Sequence, residues 1–141
     1  MDKNELKLKM CYTFTNMRRS FKSRLRKLNL SFQQWNVLKV IRNSYDPVSA
    51  KQIVEEIDSD KATVSGIVKR LVASDFVYEK KNPEDRRETL LFLSQKSIDL
   101  FEEISIMERK FNQELFSDFE PEDLDKLDTL LTKVTIPEQY L

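Results

Sequence analysis

The sequence predicts a mainly α-helical chain carrying one small β-hairpin, and three observations predict it. Apolar residues recur at spacings of three and four over most of the chain, the pattern of amphipathic helices. Residue types that start helices (Ser, Asp, Pro) stand at the head of most of these stripes. Between residues 77 and 93 the period changes, and two runs rich in β-branched and aromatic side chains flank a charged turn.

Residues 4–28 form the first stripe: Leu6, Met10, Phe14, Met17, Phe21, Leu25 and Leu28 lie on one helical face. Ser31 opens the second helix, and Gln34 three residues on completes a capping box. Phe32, Trp35, Val37, Leu38 and Ile41 supply its apolar positions, and the stretch from Asn43 to Pro47 is a loop. Ser49 and Gln52 repeat the capping box ahead of a short helix carrying Ile53 and Ile57. Asp58, Ser59 and Asp60 are a tight break, with Ser59 or Asp60 as the next cap. A second helix follows from Lys61 to about Ser74, its inward face being Val64, Ile67, Val68, Leu71 and Val72. The strands are Val77 to Lys81 and Thr89 to Leu93, joined by a polar turn over residues 82–87. Ser94 caps a long helix through about Phe116, and Pro121 suits the first turn of a last helix carrying Leu124, Leu127, Leu130, Leu131 and Val134.

Composition narrows the function. The chain has 141 residues, no histidine and one cysteine, Cys11. A His-dependent catalytic triad, a His-based metal site and an intrachain disulfide are therefore excluded. No glycine-rich phosphate loop is present, so neither enzymatic activity nor a cofactor or metal is expected. No apolar run is long enough to span a membrane, and the first ten residues lack a signal-peptide core, so the cytoplasm is the expected location. Net charge is zero but unevenly spread. Residues 1–93 hold 19 Lys/Arg against 12 Asp/Glu, while residues 94–141 hold 5 against 12. A basic body with an acidic last third can steer one face toward phosphates.

The informative unit is residues 49–93: short helix, three-residue turn, helix, hairpin. This is the winged helix-turn-helix arrangement, in which the second helix enters the major groove of double-stranded DNA. With the apolar stripe of that helix turned inward, its outward face holds Lys61, Ala62, Thr63, Ser65, Gly66, Lys69 and Arg70. Ala62 or the Thr63 methyl suits a thymine methyl, Ser65 either base type, and Lys69 guanine or phosphate. Gly66 is the chain's only glycine. Mid-helix it costs about 1 kcal/mol relative to alanine, which close approach to DNA would explain, as would close packing against another helix. Lys81, Asp85, Arg86 and Arg87 form the wing contribution. An arginine at a hairpin tip suits a narrow minor groove, and Asp85 is placed to hold Arg87 by a bidentate pair.

Residues 31–94 resemble the MarR family of bacterial regulators. The family's wing reads Asp-x-Arg, five residues, then Leu-Thr. Here Asp85, Arg86 and Arg87 are followed by five residues and then Leu93 and Ser94. The run from Ala62 to Leu71 matches the family's recognition-helix pattern, and Gln34 with Trp35 its second-helix pattern. Asp75 and Ser97 stand where many members carry glycine. The resemblance implies a homodimer formed by the first and last helices, a palindromic operator, a repressor role, and release by a small-molecule effector or an oxidant. It divides the chain into residues 1–30 for dimerisation, 31–94 for DNA binding and 95–141 for dimerisation, within one continuous domain.

Two questions stay open at this level. Cys11, beside Met10 on the first stripe, is either a redox sensor or a small buried hydrophobe. A winged-helix module that binds protein and not DNA is the alternative function, favoured by the acidic last third.

Overall fold

Six α-helices and a three-stranded antiparallel sheet make up the computed structural model, which describes residues 1–141. In chain order these are α1 (Lys3–Arg26), α2 (Phe32–Asn43), β1 (Val48–Ser49), α3 (Ala50–Ile57), α4 (Lys61–Ala73), β2 (Val77–Lys81), β3 (Thr89–Leu93), α5 (Gln95–Leu115) and α6 (Pro121–Lys133). A 3-10 turn covers Glu138–Tyr140. No helix is long and apolar enough to cross a membrane.

Both capping boxes form. The Ser31 hydroxyl accepts from the Gln34 N–H at 3.0 Å and the Gln34 side chain accepts from the Ser31 N–H at 2.8 Å. Ser49 and Gln52 do the same for α3. Asp60, not Ser59, caps α4.

Helix ends are equally specific. Asn29, Asp58 and Asp75 adopt positive φ of 58°, 49° and 62°. After α1, the Leu30 N–H returns to the Leu25 carbonyl and the Asn29 N–H to Arg26. After α4, the Phe76 N–H returns to Leu71 and the Asp75 N–H to Val72. These are Schellman caps, each with its apolar clasp: Leu25 with Leu30, and Leu71 with Phe76, all buried. Every left-handed position is thus filled by Asn or Asp, the non-glycine residues that tolerate it best. Asp75, expected to unsettle a turn, adopts the glycine-like backbone itself. Ser97 is fully buried, its hydroxyl donating to the Phe76 carbonyl.

The sheet order is β1-β3-β2. β2 and β3 pair from Val77↔Leu93 to Lys81↔Thr89, as the hairpin expectation requires. β1 is an addition: Val48 and Ser49 pair with Leu91 and Leu90. Two residues are too few to show a period of two, so the sequence presents this stretch only as the approach to a cap. The strand ties the start of α3 to the middle of β3, so the helix-turn-helix and the wing share one hydrogen-bonded frame.

The chain packs as two compact units, Met1–Glu102 and Glu103–Leu141, the boundary falling inside α5. The core of the first unit includes Leu25, Val37, Leu38, Ile53, Val64, Ile67, Leu71, Val77 and Leu91. Trp35 stands 4.9 Å from Phe101 and 6.2 Å from Phe21, centroid to centroid. In the second unit Phe116 and Phe119 meet edge to face at 5.3 Å.

Candidate nucleic-acid interface

α4 packs on α2, α3 and β2, and the inward stripe is the expected one: Val64, Ile67, Val68 and Leu71 are buried, and Val72 is half-buried. This leaves the other face to solvent. Lys61, Ala62, Thr63, Ser65, Lys69 and Arg70 are exposed, and Gly66 is half-buried. A Cβ built on Gly66 would meet only the Arg70 guanidinium, at 3.7 Å to Nη1. No second helix approaches it, and its φ is not positive. Neither close helix packing nor backbone geometry therefore requires glycine there. What it provides is a smooth patch on the outward face, beneath Arg70.

In the first turn of α4 the capping residue does more than cap. The Asp60 carboxylate accepts from the Thr63 N–H through Oδ1 at 2.8 Å and from the Thr63 hydroxyl through Oδ2 at 2.7 Å. These two bonds, the hydroxyl one foremost, hold the Asp60 carboxyl below its ordinary range. The Asp-x-x-Thr spacing is the signal that could have revealed the clasp.

The wing is a pinned loop. The Asn82 amide donates to Glu88 Oε2 at 2.8 Å, and its oxygen accepts from the Glu84 N–H at 3.0 Å. Backbone bonds from Asn82 to Glu88, Asp85 to Asn82 and Glu88 to Asp85 close the turn. Asn82 and Glu88 were not singled out from sequence, although Asn before Pro is a turn-forming pair. Asp85 does hold Arg87, but not as a bidentate fork. A single oxygen, Oδ1, accepts both the Arg87 backbone N–H at 3.1 Å and Nε–H at 3.2 Å. The local turn brings Arg87's backbone to the carboxylate first, so the fork geometry is lost. The rest of the guanidinium faces outward, the side chain being 93% exposed. Arg86 is exposed as well, and Lys81 donates to Thr89 Oγ1 at 3.3 Å.

Away from this face, Cys11 is exposed on α1, so the lone chain does not bury it as a small hydrophobe. Leu6, Leu8 and Phe14 on α1 and Leu124, Leu130 and Leu131 on α6 are also exposed.

A sequence profile described as the MarR family matches residues 28–88. The HTH-type transcriptional regulator YwoH of Bacillus subtilis is 33% identical over 99 residues, covering 70% of this chain and 71% of that protein. The HTH-type transcriptional regulator MgrA of Staphylococcus aureus is 28% identical over 138 residues, covering 94% and 92%. Among solved structures, MepR, a transcription regulator of the S. aureus multidrug efflux pump MepA, superposes with a TM-score of 0.80 at 18% identity, covering 94% and 96%. A MepR–DNA complex superposes at 0.66 with 18% identity, covering 88% and 89%.

Proposed function

The chain belongs to the MarR family of transcription regulators, and from that premise we propose that it acts as a homodimeric repressor on a palindromic DNA operator. α4 enters the major groove, with Ala62, Thr63, Ser65 and Gly66 at base edges and Lys61, Lys69 and Arg70 toward bases or phosphates. The wing reaches the minor groove through Arg86 and Arg87, with Asp85 positioning Arg87 and Lys81 on the flanking backbone.

One observation carries this reading. The outward face of α4 is small, hydroxylated and cationic around an otherwise unexplained Gly66, and it belongs to the same framework as a pinned, arginine-tipped hairpin. The dimer is supported by the exposed apolar residues of α1 and α6, since single chains rarely leave such stripes uncovered. Their charges are complementary: α1 is rich in Lys and Arg, and α6 in Asp and Glu.

In vitro selection of DNA by the purified protein tests the proposal. The expected outcome is a palindrome with half-sites about one helical turn apart, bound with an affinity that falls steeply with salt. Failure to enrich any sequence, with a flat salt response, would favour the protein-binding module instead. The releasing signal is assigned to a small molecule or an oxidant. Peroxide applied to native and Cys11→Ser protein tests the oxidant. Loss of operator binding by the native protein alone assigns the trigger to Cys11, and equal behaviour removes it.

A further inference from the structure

The clasp between Asp60 and Thr63 has a consequence for base reading. A threonine hydroxyl has one hydrogen to donate and two lone pairs. In this protein the hydrogen is committed to an ionised carboxylate at 2.7 Å, and the same carboxylate is fixed by the Thr63 N–H. A bond to a charged acceptor is among the stronger kinds, so a neutral base acceptor does not readily capture that hydrogen. What Thr63 offers outward is then a lone pair and a methyl group. Asp60 is exposed, and its remaining lone pairs also only accept. The Asp60–Thr63 clasp therefore presents acceptors outward, the nearest side-chain donors on α4 being Lys61 and Ser65.

We propose that Asp60 is a specificity-determining residue: by holding the Thr63 hydroxyl as an acceptor, it makes this position select a base with an amino group on its major-groove edge. This rests on the reading that α4 enters the major groove. There, cytosine presents only its N4 amino donor, adenine an N6 donor beside the N7 acceptor, guanine the acceptors N7 and O6, and thymine the acceptor O4. An acceptor pair fits cytosine best, tolerates adenine, and meets guanine or thymine with like polarity. The negative charge of Asp60 deepens the rejection of guanine, whose major-groove edge is the most electron-rich. Thr63 thus loses the option of donating to guanine or thymine that an unclasped hydroxyl would have.

The test is parallel in vitro selection with native protein, Asp60→Asn and Thr63→Val, read as base ratios so that uniform changes in affinity cancel. Asparagine caps a helix as well as aspartate, and its amide nitrogen would donate to the Thr63 oxygen, releasing the hydroxyl hydrogen toward the DNA. Native protein is expected to prefer cytosine or adenine over guanine and thymine by about five- to tenfold at one base pair of each half-site. Asp60→Asn should shift that pair, and no other, toward guanine or thymine. Thr63→Val should level the preference there. Native and Asp60→Asn motifs that agree at every position would overturn the inference while leaving the operator-binding reading intact. So would a Thr63→Val motif identical to the native one. If the native protein enriches no sequence, both fall together.

Discussion

Arg87 meets solvent over nearly its whole side chain, yet its backbone N–H and Nε–H are tied to one oxygen of Asp85. An exposed ion pair of this kind contributes little to stability, so its value lies in direction. Arg87→Ala is expected to lower operator affinity by about tenfold or more while leaving the unfolding midpoint unchanged. Gel shift and thermal denaturation on the same samples check both halves. Lys69→Ala should weaken binding uniformly across sequences and reduce the salt slope by about one if it meets phosphate. Asp75→Gly addresses the fold alone. Relieving the left-handed strain at φ 62° should add about 0.5–1 kcal/mol to stability, read from the urea midpoint. Individual exposed side chains on α4 were legible from sequence, because a helix with a settled inward stripe has a settled outward face. The partners of Asp60 and Asn82, and the single-oxygen geometry of the Asp85–Arg87 pair, were less so, since they depend on where a turn brings backbone N–H groups, and composition does not report that.

At the scale of elements, the boundaries of α2, α3, α4, β2 and β3 follow from the sequence because their signals are local: a cap three residues from its partner, a stripe, a change of period. β1 was hidden because it exists only through pairing with β3, a partner more than forty residues away. The single glycine shows how local rules can mislead. Turns usually call for glycine, but here Asn29, Asp58 and Asp75 take the left-handed positions, and glycine appears inside a helix. The wing is the element whose order most needs testing. Asn82→Ala removes the bonds to Glu88 and Glu84 while leaving the core untouched. Operator affinity should fall roughly three- to tenfold through lost preorganisation, with thermal stability nearly unchanged. An Asn82→Ala protein that binds as well as native would mean that the wing orders on the DNA and not before it.

For the whole molecule, the segregation of charge counts for more than its sum. A chain with equal numbers of acidic and basic residues presents a basic body and an acidic last third. The division was visible from sequence, and so were the apolar stripes of α1 and α6. How much of them the single chain covers was not, because a helical stripe looks the same whether its cover comes from its own chain or from another copy. Leu130→Glu places a charge on the exposed α6 stripe, where Leu130 is 58% exposed. The variant should be monomeric by sedimentation, fold as a single chain, and lose most of its affinity for a full palindrome while retaining weak binding to a half-site.

The pinned wing also governs how the protein ages in the presence of proteases. Arg86 and Arg87 are exposed cleavage sites for trypsin, but a peptide bond must be extended to enter a protease cleft. The hydrogen bonds from Asn82 and Asp85 hold this stretch folded, so nicking has to wait for the loop to open. The rate of cutting at these two residues is therefore a clock for local opening of the hairpin. A bound operator covering the wing should stop the clock, and the Asn82→Ala protein should run fast.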